Sequence, residues 1–212
     1  METIYIPERH RERDVGAIYS FLEEFPFATV VTGKPGLMAS HVPLLLERGG
    51  GGLGRIEGHL AKGNPQLRCF DGEQETLAMF RGPHAYISPA WYETEQAVPT
   101  WNFAAVHVTG RARLVEDMEK LKAFVTRLTE RHERHEGTKW SMDGLSESYK
   151  QNMLRGAVMF EMEIERMEAK FKTGAERSEA DRAGMLRGLA ERQPEETMAG
   201  FMSRTYRRLY EG

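Results

Sequence analysis

Apolar and polar positions along the chain fall into two periods, and their order predicts the architecture. Between Asp14 and Phe25 the residues Val15, Ile18, Tyr19 and Leu22 recur at helical spacing until Pro26 closes the pattern, so an amphipathic helix opens the fold. Strand-like segments follow: FATVVT at Phe27 to Thr32, LMASHVPLLLE at Leu37 to Glu47 and LGRIEGHL at Leu53 to Leu60. Glycine-rich breaks separate them, which reads as consecutive hairpin-connected strands. Further strands are expected at Glu75 to Gly82, in AYIS, and at Ala104 to Val115. Asp117 then stands as the N-cap of a helix that places Met118, Leu121, Phe124, Val125 and Leu128 on one face and runs to about Glu133. A second helix is expected over Glu147 to Leu154. A late strand follows at Gly156 to Lys172, where Val158, Phe160, Met162 and Ile164 alternate. Ser178 and Asp181 resemble a capping pair for a helix to about Leu189, and a last helix begins with PEE at Pro194. The sum is a mainly β, α+β fold, an antiparallel barrel with peripheral helices.

Composition narrows the class. At 212 residues with 40 % hydrophobic content, the chain suits one main barrel with appended helices. No apolar run reaches bilayer-spanning length, and METIYIPERHRERD lacks the apolar stretch of a signal peptide, so a cytoplasmic location is expected, with no membrane partner. Cys69 is the only cysteine, which excludes an internal disulfide and a cysteine cluster for zinc. The formal charge of −3 argues against a surface built for nucleic acid. The RTYRR cluster at Arg204 to Arg208 reads as the basic last turn of a helix.

Several local patterns invite chemistry and have plainer readings. GGGGLG at Gly49 to Gly54 meets the spacing of a dinucleotide loop. A strand rather than a helix follows it, so a hairpin loop is expected. His132, Glu133 and His135 read HERH rather than HExxH, which suits a solvated helix end, and no metal site is expected. Nothing beside Cys69 in sequence would activate a thiol, so it is read as structural.

The richest stretch is GPHAYISPAWY at Gly82 to Tyr92, followed by VPTWNF at Val98 to Phe103. Five large aromatics stand among Pro83, Pro89 and Pro99, which predicts rigid, irregular backbone presenting aromatic walls to a flat heteroaromatic ligand. His84 and His107 are polar groups near such a pocket. Ser40 and His41 sit where an apolar strand runs into Pro43, and Lys62 places a cation at a strand-to-loop junction beside a tight turn.

These segments, with ASHVPLLL at Ala39 to Leu46, GHLAKGNPQ at Gly58 to Gln66 and AVHVTG at Ala105 to Gly110, resemble the PaiB-like family of FMN-binding split-barrel proteins. The similarity runs from YIPERHRERD at Tyr5 to EADRAGMLRGL ending at Leu189. The resemblance implies an antiparallel split β-barrel domain over residues 1–172 and a C-terminal helical extension over 173–212. It implies FMN as cofactor, bound at the interface of a homodimer. Its expected contacts are Lys62 to the phosphate with Thr32 as a hydroxyl donor, Ser40 and His41 at the ring edge, and Trp101 and Asn102 as a stacking surface and an amide. Lys172 and Arg177 match the family's KWKLSQNR segment, here KFKTGAER, whereas Gly174, Ala175 and Glu176 replace its Ser, Gln and Asn.

Three functions stay open. The family's usual label implies a negative transcriptional regulator, although neither a helix-turn-helix nor a basic face supports direct DNA contact. A flavin-dependent oxidoreductase of the pyridoxamine-phosphate-oxidase-like class is the second, with catalytic residues and substrate unidentified. An interaction protein without cofactor is the third, supported by the altered KFKTGAER.

Overall fold

The computed structural model describes residues 2–49, 52–138, 140–192 and 197–210. After a short 3-10 turn at Glu8–His10 the elements are β1 (Arg11–Glu12), α1 (Val15–Glu24), β2 (Phe27–Thr32), β3 (Met38–Pro43), β4 (Leu45–Glu47), β5 (Arg55–Ala61), β6 (Asp71–Ile87) and β7 (Thr100–Val115). Then come α2 (Met118–Glu136), α3 (Glu147–Leu154), β8 (Ala157–Lys172), α4 (Glu179–Arg192) and α5 (Thr197–Tyr210). The strands join in one sheet ordered β3-β2-β6-β7-β8-β5-β4, with β1 on β8. The pairs β1–β8, β2–β3, β2–β6, β4–β5 and β5–β8 are antiparallel. Among the described residues no helix is long and apolar enough to cross a membrane.

The alternation read in the sequence survives as burial. In β2 the residues Ala28, Val30 and Thr32 are buried while their neighbours are not. Two expectations need correction. The segment Leu37 to Glu47 is two strands, because at Leu44 the chain leaves the β2 ladder and its N–H bonds to the Pro26 carbonyl at 2.9 Å. Of the backbone expected to be irregular from Gly82 onward, the part up to Ile87 is instead the end of one 17-residue strand, while residues 88–99 are irregular around a 3-10 turn at Pro89–Trp91. Because β2 pairs with β6 only as far as Phe80, the β2 ladder needs no N–H at Pro83.

The contacts divide the chain into two compact units, each assembled from separate stretches. The first comprises residues 1–21, 81–106 and 168–212. Its core joins Ala85, Ile87 and Tyr92 to Met185 and Leu189 of α4 and to Met198, Met202 and Tyr206 of α5. Phe21, Phe171 and Phe201 form a second aromatic group, with ring centroids 5.2 to 5.9 Å apart. In α4 two glycines four residues apart admit Trp91: a Cβ on Gly184 would lie 1.9 Å from the Trp91 carbonyl oxygen, and one on Gly188 would lie 2.3 Å from its ring. Asp181, the residue read as a cap partner of Ser178, accepts from Glu93 N at 2.9 Å, Thr94 N at 3.1 Å and Thr94 Oγ1 at 2.7 Å. These bonds, Thr94's hydroxyl foremost, hold its carboxyl below the ordinary carboxylate range. In α5, Arg207 and Arg208 of RTYRR do occupy the last turn, and Arg208 reaches Glu12 and Asp14. Pro194, where this helix was expected to begin, lies outside the described residues.

The second unit comprises residues 22–80 and 107–167. Leu45, Leu121, Phe124, Leu128, Leu154 and Met159 make one core, in which the apolar face of α2 meets the sheet. Asp117 caps α2 through Glu119 N and Lys120 N, and Gly137 ends it at φ 67°. Gly58 leaves room for close packing, since a Cβ there would lie 2.6 Å from both Leu44 and Phe160. Within this unit two glutamates of the sheet are buried among the described residues. Glu57, 3 % exposed, is paired with Arg55 and Arg127, and Glu161 with Arg55 and Arg113.

Candidate functional site

In the second unit, β5 ends at Ala61 and the chain turns tightly, Asn64 N bonding to the Ala61 carbonyl at 2.8 Å. The turn is followed by a 3-10 helix at Pro65–Cys69, with Asn64 as N-cap and Pro65 at its first position. This is the local consequence of GNPQ: Asn64 Oδ1 accepts from Gln66 N at 2.9 Å, and proline needs no donor there. The helix sets Gln66 against β2 and β3. A cleft of 430 Å³ opens where these elements meet, lined by Met38, Ala39, Ser40, Ala61, Gly63, Asn64, Pro65 and Gln66. Its volume falls within the roughly 300–1,000 Å³ usual for small-molecule sites.

A chain of polar groups runs through the cleft wall. Ser40 Oγ accepts from Asn64 Nδ2 at 2.9 Å. Gln66, 1 % exposed, donates through Nε2 to the Val30 carbonyl at 3.0 Å, to Thr32 Oγ1 at 3.3 Å and to the Met38 carbonyl at 3.3 Å. Its Oε1 is buried and has no partner among the described residues. Lys62 stands exposed between lining residues Ala61 and Gly63, its N–H fixed on the Gly156 carbonyl at 2.8 Å, and its ammonium is uncommitted among the described residues. The Ser40 hydroxyl and the Asn64 amide line the cleft, and the exposed Lys62 stands between two of its lining residues, groups suited to a phosphorylated ligand.

Of the residues expected at the site, Thr32, Ser40 and Lys62 therefore share this neighbourhood. His41 does not. It follows Ser40 in a strand and so projects from the opposite face, where its Nδ1 pairs with Thr29 Oγ1 at 2.9 Å. Gln66 and Asn64 were not singled out from the sequence, although an Asn-Pro turn beside Lys62 was the signal that could have found them. His59, one strand position before Leu60, stacks edge-on to Phe124 at 5.7 Å, and burial pushes its imidazole pKa down.

The remaining expected residues lie in the first unit. Trp101 is 55 % exposed, stacked on His84 at 6.1 Å and edge-on to Tyr86 at 6.2 Å, so the aromatic wall is an outward face of β6 and β7. Asn102 points inward and is 1 % exposed, with Nδ2 donating to the Thr173 carbonyl at 2.9 Å. Lys172 donates to the Thr100 hydroxyl. The Arg177 guanidinium lies 4.0 Å over the Tyr92 ring and 3.8 Å from Asp181. Gly174, one of the altered positions, has φ 74°, a backbone state that favours glycine, and a Cβ there would meet Met185 at 2.8 Å.

The other motifs give no site among the described residues. No group of three or more His, Cys, Asp or Glu there can hold a metal. Cys69 is buried and its thiol donates to the Lys34 carbonyl at 3.1 Å. The loop holding GGGGLG joins β4 to β5 in an antiparallel hairpin, with Gly50 and Gly51 outside the described residues.

A continuous antiparallel sheet with peripheral helices defines the class as a split barrel. Solved structures share the fold. A FAD and heme binding protein from Mycobacterium smegmatis superposes with a TM-score of 0.54 at 13 % identity, over 77 % of this chain and 73 % of that one. The flavocytochrome Anf3 from Azotobacter vinelandii does so with a TM-score of 0.55 at 14 % identity, over 86 % and 80 %. The chain belongs to the family described as "Putative FMN-binding domain", whose pattern it matches over residues 4–166. It is also 38 % identical over 189 residues to Protease synthase and sporulation protein PAI 2 of Bacillus subtilis, covering 88 % of this chain and 89 % of that protein. Membership in this family makes FMN the cofactor of the fold.

Proposed function

We propose that this protein binds FMN in the Lys62–Gln66 cleft and acts, as a homodimer, as a regulatory protein of the PaiB type. The observation that carries the reading is the cleft itself: Ser40 and Asn64 line it and the exposed Lys62, uncommitted among the described residues, stands between lining residues Ala61 and Gly63, inside the segment that matches the FMN-binding family. Lys62 would take the phosphate, which carries close to two negative charges at pH 7 and demands a cation. Ser40, whose oxygen already accepts from Asn64, keeps its own proton to donate. FMN, when bound, supplies redox chemistry that no side chain provides. The regulatory role rests on similarity to PAI 2, whose name refers to protease synthesis and sporulation. The homodimer is supported by the exposed Trp101, Tyr86 and His84 side chains, an aromatic face that a second copy would cover.

The test is the visible absorption spectrum of the purified protein, followed by FMN titration with the melting temperature recorded. At about 100-fold excess over Kd a ligand specific for the folded state adds about 2.7 kcal/mol. For a chain of this size that is an upward shift of roughly 5–10 °C. Lys62→Ala should weaken FMN binding roughly 10- to 100-fold while leaving the melting temperature of the free protein unchanged. Neither a flavin band nor a shift at saturating FMN would refute the cofactor reading.

A further inference from the structure

A separate cavity of 320 Å³ opens within the second unit, walled by Leu45, Leu46 and Glu47 of β4 and by Arg127, Glu130, Arg131 and Arg134 of α2. The three arginines stand at i, i+4 and i+7, the spacing that aligns side chains on one helix face across two turns. Charge around them is unevenly spent. Arg127 is paired with Glu47 at 3.4 Å and with the buried Glu57. The Glu23 carboxylate is taken by Arg48 at 2.7 Å. Arg131 reaches Glu23 only at its backbone carbonyl, to which Nη2 donates. A neutral carbonyl fixes that guanidinium in place and leaves its charge unmatched. Arg134 is in no ion pair among the described residues, and neither is Glu130, although residues four apart on a helix can meet. The carbonyls of Glu133 and Arg134 are met by Thr138 N and Gly137 N, so the end of α2 is capped without these side chains.

We propose that this cavity is a second small-molecule site, for a phosphomonoester carried on a compact apolar body. The two unmatched guanidiniums of Arg131 and Arg134 balance a phosphate, which carries about −1.5 to −2 charge at pH 7. Each presents a planar fork of N–H donors that meets phosphate oxygens two at a time, a geometry a lysine does not offer. Leu45 and Leu46 supply an apolar floor for the group that the phosphate carries. The volume lies at the lower end of the roughly 300–1,000 Å³ usual for small-molecule sites, which calls for a small ligand. Glu130 is the opposing charge on the wall, and it holds the affinity down. The cavity shares no lining residue with the cleft beside Lys62, so the proposal stands apart from the flavin reading.

The test ligand is phenyl phosphate, titrated by calorimetry into the wild-type protein and into Arg134→Gln, Glu130→Gln and Lys62→Ala, with inorganic phosphate as companion ligand. Arg134 and Glu130 are exposed and outside any ion pair among the described residues, so both variants should keep the wild-type melting temperature. Phenyl phosphate should bind the wild-type protein saturably and roughly fivefold or more tighter than inorganic phosphate, because its ring buries apolar surface on the leucines. Arg134→Gln should weaken it roughly tenfold or more, and Glu130→Gln should tighten it roughly two- to fivefold. Lys62→Ala should leave it unchanged. Absence of saturable binding, equal affinity for the two phosphates, or an Arg134→Gln protein that binds as tightly as the wild type would each overturn the proposal. Binding abolished by Lys62→Ala and untouched by Arg134→Gln would overturn it too, by assigning the phosphate to the flavin cleft.

Discussion

Replacing Gly188 by alanine tests the packing that fixes the aromatic segment on the C-terminal helices. A Cβ at 188 would meet the Trp91 ring at 2.3, 2.5 and 2.6 Å, where ordinary contacts begin at about 3.4 Å, so the ring must retreat by about an ångström. It has little freedom to do so. One turn earlier, the Trp91 carbonyl lies against Gly184, and Trp91 packs against the buried cluster that contains Met185 and Leu189. Overpacking of this kind costs about 1–3 kcal/mol, against the roughly 1 kcal/mol that alanine gains over glycine in a helix interior. The net expectation is a loss of about 0–2 kcal/mol, or a melting temperature lower by up to roughly 8 °C. The internal control is Gly200→Ala in α5, where the nearest neighbour of an added Cβ, the Arg204 guanidinium, is an ordinary 3.7 Å away. That variant should be as stable as the wild-type protein or more stable, by up to about 1 kcal/mol. Both are read by thermal unfolding and checked by urea titration. A Gly188→Ala protein at least as stable as Gly200→Ala would refute the argument that this glycine exists to admit Trp91.

Two further predictions concern charge. Asp71 accepts from Glu73 N, Gln74 N and Gln74 Nε2, and these bonds, the Gln74 backbone's foremost, lower its pKa to about 2 from 3.8. Because the folded value is the lower one, its contribution is present above about pH 4 and is lost as pH falls toward 2. Asp71→Asn should therefore show a shallower fall of melting temperature between pH 4 and 2 than the wild-type protein, and identical acid limbs would contradict this. Arg127→Ala leaves the buried Glu57 with Arg55 alone, and should cost about 1–3 kcal/mol in urea unfolding, part of it recovered by adding Glu57→Gln. A change below about 0.5 kcal/mol would show that Arg55 suffices.

The sequence by itself determined most of the elements. Helices α1, α2, α3 and α4 and the strands β2 and β5 were legible, with β3 and β4 read as one, because amphipathic period, an N-cap such as Asp117 and breakers such as Pro26 act within a few residues. The motif GHLAKGNPQ located the neighbourhood of the cleft for the same reason, since the Asn64 cap and Pro65 are a local signal. What lay beyond local reach was decided by tertiary contact. The prolines of GPHAYISPAWY predicted irregular backbone, but whether a missing N–H matters depends on the neighbouring strand, and β2 pairs with β6 only to Phe80. Ser40 and His41 were equal candidates as neighbours in sequence, and the strand's alternation sends one to the cleft and the other to Thr29. Trp101 and Asn102 divide in the same way between an exposed face and the core. Gln66 carried no signal of its own. Its setting comes from three acceptors on β2 and β3 that hold its nitrogen and leave its oxygen unmatched, a circumstance created by residues 28 to 36 positions away. Local sequence sets which backbone shape a segment prefers, but the partners of a buried polar atom are set only when distant segments meet.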